Sequence, residues 1–182
     1  MKINTLEVLK LLDEQKGRDQ YSTGGTGEPW YTRGAINILE TILQPNFEAF
    51  EFGSGASTIW IAQRVKFLTT VEHDPIWYDR VKNALEVTGL KEKVELRKEI
   101  LGSSYEESIN SCLDSSLDAV FIDGRERIAC IQNSIPKLKS GGVLCLDNAD
   151  RRRYGPGVAL MEGWENVIAS NTGWTTGIWT KP

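Results

Sequence analysis

Apolar positions along this chain change their period repeatedly, and the changes outline its elements. Ile3, Leu6, Leu9 and Leu12 recur at helical spacing and predict an opening helix over residues 3–16. Gly and Pro interrupt GRDQYSTGGTGEPW, residues 17–30, which reads as a long loop. A second helix is expected over roughly 31–43, stopped by Pro45. From residue 48 onward, short apolar runs alternate with helical patterns. EAFEF (48–52), KFLTTVE (66–72), KVELRKE (93–99), LDAVFID (117–123) and VLCLDN (143–148) predict strands. STIWIAQRV, DPIWYDRVKNALEVTG, SSYEESINSCL and RERIACIQNSIPKLKSGG predict helices between them. In the second of these, Asp74 suits the N-cap, Pro75 the first turn and Gly89 the C-terminal stop. In the last, Ile128, Ile131, Ile135 and Leu138 face inward, Pro136 introduces a kink, and Gly141-Gly142 releases the chain into the fifth strand. GWENVIAS and TTGIWTK flank Asn171-Thr172-Gly173, a hairpin signal.

Regular alternation of strand and helix predicts an α/β domain of three layers, with a mostly parallel sheet covered on both faces. Right-handed crossovers leave few topologies. The C-terminal hairpin is expected to add antiparallel structure at one sheet edge. Residues 1–45 supply N-terminal helices and a loop, and residues 46–182 the core of what is expected to be one structural domain.

Composition narrows the function. The chain has 182 residues and a net charge of −4, which argues against a general affinity for nucleic acid or acidic membrane. It has no apolar run of membrane-spanning length and no signal-peptide h-region, so a cytoplasmic location is expected. Cys112, Cys130 and Cys145 lack paired spacing and read as reduced thiols. The single histidine, His73, rules out a histidine metal cluster and a Ser-His-Asp triad.

In an open α/β sheet, ligands bind beyond the carboxyl ends of the strands. Gly53-Ser54-Gly55 lies there, between the first sheet strand and the helix opened by Ser57 and Thr58. Glycine admits close backbone approach, and a helix N-terminus offers free N–H donors to a carboxylate or a phosphate. Thr58 stands where the dinucleotide fingerprint has Gly or Ala, which weakens an NAD reading. Glu51 is placed to take the ammonium of an amino-acid-like ligand, directly or through water. Glu72 ends the second strand and suits a pair of ribose hydroxyls, with His73 beside it for an adenine.

On EFGSGAS, VEHD, LDAVFIDG and LKSGGVLCLDN, in that order, the chain resembles the class I S-adenosylmethionine-dependent methyltransferases over roughly residues 31–182. The resemblance implies their Rossmann-like fold, S-adenosylmethionine as cofactor, and methyl transfer by in-line displacement. It implies cofactor contacts from Glu51, Gly53, Ser54, Gly55, Ser57, Thr58, Glu72, His73 and Asp123.

Asp123 ends the fourth strand and Asp147-Asn148 the fifth. Were those strands neighbours, three oxygen ligands would meet at one edge, a donor set suited to magnesium or another hard divalent cation. The arrangement is similar to the metal-dependent catechol and caffeoyl-CoA O-methyltransferases. The resemblance implies that Asp123, Asp147 and Asn148 border the reacting atoms, with a metal activating an acceptor hydroxyl. Those enzymes carry a lysine three residues after the first Asp, where this chain has Glu126. The alternative is that Asp123 and Asp147 cap strand ends without a metal. Arg125, Arg151, Arg152, Arg153 and Tyr154 are candidates for clamping an anionic group on a small-molecule acceptor, Arg152 being the one favoured to face solvent because adjacent side chains do not all face one pocket. Tyr21, Trp30 and Tyr31 either cover the site as a lid or pack on the core. The remaining tryptophans, Trp77 among them, are read as core. The competing functions are aminopropyl transfer, an NAD-type oxidoreductase, and a non-catalytic cofactor-binding module.

Overall fold

The computed structural model describes residues 28–182. The opening helix and Tyr21 lie outside the described residues. Thirteen helices and strands follow in chain order: α1 (Arg33–Ile42), β1 (Glu48–Phe52), α2 (Ala56–Ala62), β2 (Phe67–Glu72), α3 (Pro75–Thr88), β3 (Val94–Lys98), α4 (Ser103–Glu106), β4 (Leu117–Ile122), α5 (Arg127–Ser134), β5 (Leu138–Leu146), α6 (Gly155–Ala159), β6 (Glu165–Ser170) and β7 (Thr175–Thr180).

The strands form one sheet in the order β3-β2-β1-β4-β5-β7-β6. β1 to β5 are parallel, and β7 is antiparallel to both of its neighbours. The C-terminal hairpin therefore joins the β5 edge through its second strand. The chain moves outward from β1 to β3, then returns to the far side of β1 as β4. That reversal opens a crevice above the carboxyl ends of β1 and β4.

Strand alternation builds both faces of the core. Ala49, Phe121, Val143 and Cys145 point to the side covered by α1, α2 and α3. Phe50, Phe52, Val120, Ile122, Leu144 and Leu146 point to the other, with Tyr105, Ile109 and Ile131 above them. Nine-tenths or more of each of these side chains is shielded from water. Among the described residues, no helix is long and apolar enough to cross a membrane.

Local signals explain most boundaries. The Asp74 carboxylate accepts hydrogen bonds from Ile76 N (2.8 Å) and Trp77 N (2.9 Å), and Gly89 ends α3 at φ 72°. Three expectations differ from the structure. Ser103–Glu106 is a short helix followed by a 3₁₀ turn over Ser108–Ser111, in place of one continuous helix. Pro136 ends α5 instead of kinking it: Ile135 is the C-cap, its N–H still donating to Ile131 O at 3.2 Å, and Pro136 has no N–H with which to continue the ladder. Leu138 then belongs to β5, and Gly141-Gly142 lies within that strand. Pairing slips there, from Leu117↔Leu138 to Ala119↔Val143, and Gly141 takes φ 77° to carry the bulge.

Candidate active site

Register brings the site together. Phe52 is level with Val71 in β2 and with Ile122 in β4, and Ile122 is level with Leu146 in β5. The next residue of each strand or loop is Gly53, Glu72, Asp123 and Asp147. Four adjacent strands thus deliver these four residues to one level, on the rim of a cleft of about 550 Å³. That volume falls within the ~300–1,000 Å³ of small-molecule sites.

The floor of the cleft is two glycine loops pressed together. Asp123 N and Gly124 N both donate to Phe52 O, at 3.0 and 2.8 Å. Gly53 has φ 90°, and a Cβ there would lie 2.6 Å from Gly124 Cα. A Cβ on Gly124 would lie 1.9 Å from the Tyr105 hydroxyl. Side chains at either position would fill the space that brings these loops together.

Glu72 holds the wall above this floor. Its Oε2 accepts from Ser54 N (3.0 Å) and Ser54 Oγ (3.3 Å). Its Oε1 accepts from the His73 and Asp74 amides, both at 2.8 Å. His73 lines the cleft and meets Tyr105 edge-on, ring centroids 5.9 Å apart. The Trp77 indole donates to Ser54 O and fixes the loop from the other side.

Of the expected cofactor contacts, Gly53, Ser54, Glu72, His73 and Asp123 line this cleft. Gly55 and Ser57 line a recess of about 50 Å³ beside it, which shares Trp30, Ser54 and Trp77 with the main cleft. Glu51 and Thr58 line neither. Alternation turns Glu51 into the layer under α2, where it is fully buried. Its carboxylate accepts from Ser57 Oγ (2.5 Å), Thr58 Oγ1 (2.6 Å) and Thr70 Oγ1 (2.7 Å). Expected at a ligand ammonium, Glu51 instead ties β1 to β2 and to the first turn of α2.

Burial pushes the Glu51 pKa up to about 7, against the three hydroxyl hydrogen bonds that favour the ionised form. The ordinary value is 4.5, so between these pH values the folded chain holds a proton that the unfolded chain releases. This contribution to stability is complete below pH 4.5 and is lost as pH rises through about 7. A shift of this size corresponds to about 3 kcal/mol. Urea unfolding of Glu51→Gln at pH 5, 6, 7 and 8 should lack most of that decline, which the wild type shows. Parallel declines in the two proteins would refute the buried proton.

The cleft lining also carries arginines, beside Asp123 and Asp147. Arg127 opens α5, is 7% exposed, and spans two strand ends. Its Nε donates to Gly124 O (3.0 Å), Nη1 to Asp147 O, and Nη2 to Asp123 O (2.6 Å) and Asp123 Oδ1 (2.9 Å). Asp147 is buried, and its Oδ1 accepts from Thr176 Oγ1 at 3.1 Å. Burial first, and then the nearby Asp123 charge, hold its pKa well above the usual carboxylate range. Asn148 takes φ 52° and turns the chain toward Arg151. A 3₁₀ turn, Arg152–Tyr154, follows.

Trp30, Arg125, Arg151 and Tyr154 all line the cleft, as do Asp147 and Asn148. Arg152 lies outside the lining, whereas Arg153 lines it and donates to Tyr154 Oη at 2.9 Å. Tyr31 is no lid residue. It is 4% exposed and stacks on Phe121, ring centroids 6.4 Å apart. Trp77 and Arg127, by contrast, are site residues missing from the sequence reading. Each sits in the first turn of a helix that follows a parallel strand, and that position marks the carboxyl edge of the sheet.

Comparison with known proteins identifies the fold and the family. The family profile described as "Methyltransferase domain" matches residues 50–149. A search of curated protein sequences finds no match. Among solved structures, an O-methyltransferase from Bacillus cereus in complex with SAH is similar at TM-score 0.73 and 19% identity, over 100% of this chain and 92% of that one. A Streptococcus mutans protein in complex with SAH has TM-score 0.65 and 15% identity, over 81% of this chain and 96% of that one. A tRNA methyltransferase from Aquifex aeolicus has TM-score 0.66 and 16% identity, over 99% and 76%. At these identities the structural likeness is one of fold, shared by proteins named for different acceptors. The profile match spans more than half of the sequence, and this chain belongs to the methyltransferase-domain family.

Proposed function

We propose that this protein is an S-adenosylmethionine-dependent methyltransferase that O-methylates a small molecule carrying an anionic group. The observation that carries the reading is the division of one cleft into two chemistries. Gly53, Ser54, Glu72 and His73 line one part, and Asp123, Arg125, Arg151 and Tyr154 line another.

The first part fits the cofactor. The Gly53–Gly124 contact leaves a side-chain-free surface beside the Ser54 backbone, where the methionine moiety would lie. Glu72 would hold the ribose hydroxyls, which would take over from its longest contact, the 3.3 Å one to Ser54 Oγ. His73 would pack beside the adenine. Bound S-adenosylmethionine supplies a methyl group on a sulfonium, open to attack from the side opposite sulfur.

The residues of the second part orient the acceptor and handle its proton. Arg125 and Arg151 line the cleft with no ion-pair partner among the described residues. They suit bidentate recognition of a carboxylate or phosphate. The Asp123 carboxylate, 28% exposed, takes the proton released as the acceptor oxygen is methylated. Asp147 and Asn148 border the same space and fix the acceptor's approach. A polyamine, the acceptor of an aminopropyl transferase, would meet these arginines as like charges.

Calorimetric titration with S-adenosylhomocysteine tests the cofactor half. Micromolar or tighter affinity, about −8 kcal/mol or better, is expected. Absence of binding would overturn the reading. The acceptor half is tested by transfer of radiolabelled methyl groups to a panel of hydroxy acids, sugar phosphates and their neutral counterparts. Anionic members should be preferred. Arg151→Ala should raise the KM for an active acceptor by at least about tenfold and leave S-adenosylhomocysteine affinity unchanged. Equal use of neutral acceptors would refute the anion-binding assignment.

A further inference from the structure

Arg127 sits at the strand ends where Asp123, Asp147 and Asn148 are candidates for a metal. A hard divalent cation of magnesium's size needs about six oxygens in near-octahedral order, usually with carboxylates among them. At the ends of β4 and β5 one oxygen of each candidate carboxylate, and three backbone oxygens beside them, are already committed. Asp123 Oδ1 and the backbone oxygens of Asp123, Gly124 and Asp147 all accept from the one guanidinium. Asp147 Oδ1 is drawn the other way, toward Thr176 on β7. Glu126, at the position where the metal-dependent relatives carry lysine, is exposed and lies outside the cleft lining. Among the described residues, no three His, Cys, Asp or Glu side chains gather to hold a metal ion.

The guanidinium itself is built in. It is 7% exposed, bonded through Nε, Nη1 and Nη2, and covered by the Tyr154 ring with its centroid 5.1 Å away. Arginine does not give up its proton at any pH a protein survives. A dication entering beside Asp123 would have to displace that charge or sit against it, in a partly desolvated place where like charges repel strongly.

We propose that the buried Arg127 guanidinium takes the place of a divalent cation at the carboxyl ends of β4 and β5, and that this cleft binds no metal. The inference rests on the methyltransferase reading above and deepens it. Arg127 is a positioning residue. It locks β4 to β5, holds the Asp123 carboxylate in place, and sets a permanent positive charge beside the reacting groups. Proton removal from the acceptor then falls to side chains of this chain.

The test is a titration with Mn²⁺, followed by the paramagnetic resonance signal of the free ion, in the presence of saturating S-adenosylhomocysteine. The wild-type protein should leave the free signal proportional to added Mn²⁺ up to millimolar concentration. Arg127→Met uncovers the two aspartates and should gain Mn²⁺ binding at least tenfold tighter than the wild type. Arg127→Lys keeps the charge and should gain none. Stoichiometric binding by the wild type at tens of micromolar, abolished by Asp147→Asn, would overturn the proposal. So would equally weak binding by folded Arg127→Met, because the charge would then not be what keeps the metal out. Should Arg127→Met fail to fold, the neutral Arg127→Gln replaces it, with the same two outcomes. Calorimetry on the same samples separates the two readings. Loss of S-adenosylhomocysteine binding counts against the cofactor assignment, whereas the Mn²⁺ titration decides the role of Arg127.

Discussion

Glu72→Ala is expected to weaken S-adenosylhomocysteine binding by about 10- to 100-fold, the loss of a charged partner to two hydroxyls. The same substitution removes the acceptor for Ser54 N, His73 N and Asp74 N. The buried Ser54 amide then has no acceptor, and stability should fall by about 1–3 kcal/mol. Circular dichroism must therefore confirm folding at the temperature of the calorimetry. An affinity equal to the wild type in the folded variant would sink the ribose assignment. It would leave Glu72 as an anchor for its own loop.

Gly53→Ala should be severely damaging for a single added methyl group. Two costs combine. The backbone sits at φ 90°, where an L side chain is strained, and the new Cβ would lie 2.6 Å from Gly124 Cα and 2.7 Å from Gly124 N. Both neighbouring atoms are backbone, so no rotamer change relieves the contact. A destabilisation of at least about 2 kcal/mol is expected, which lowers Tm by roughly 4–8 °C in a chain of this size. S-adenosylhomocysteine binding should be lost with it. Gly89→Ala is the internal control. That residue has φ 72° but nothing within 4 Å of a new Cβ, so only the backbone cost of about 1 kcal/mol applies. Equal effects of the two substitutions would show that the loop contact does not matter.

The strand cores were legible because they obey simple rules. EAFEF reads as a strand at 48–52, the span β1 occupies, because it is a short apolar-rich run closed by a glycine. Asp74, Pro75 and Gly89 marked α3 because capping is local chemistry. What sequence could not carry is alignment between strands. That Gly53, Glu72, Asp123 and Asp147 end level with one another is a property of pairing across four strands. Glu51 shows how a local signal misleads. As the acidic residue nearest the glycines it reads as a ligand contact, yet alternation buries it among Ser57, Thr58 and Thr70. Trp77 shows the reverse. Its helical spacing fits an apolar face, but its place in the first turn after β2 brings it to the cleft. Gly141-Gly142 reads as a break, and only pairing with β4 shows that β5 continues through it.

The insertion of β7 between β5 and β6 bears on how this chain avoids aggregating. β6 and β7 are joined by a four-residue connection and can pair locally, but β7 must find β5 across a long stretch of sequence. Until it does, β5 presents Val143, Leu144, Cys145 and Leu146, all buried in the finished sheet, beside a row of unpaired backbone groups. A parallel sheet with such an open apolar edge is a template for other chains. The hairpin is thus a shield as well as a sheet extension, and its outer strand meets water with five of its six residues exposed. Substitutions that loosen β7 should therefore appear as insoluble protein before they appear as altered catalysis.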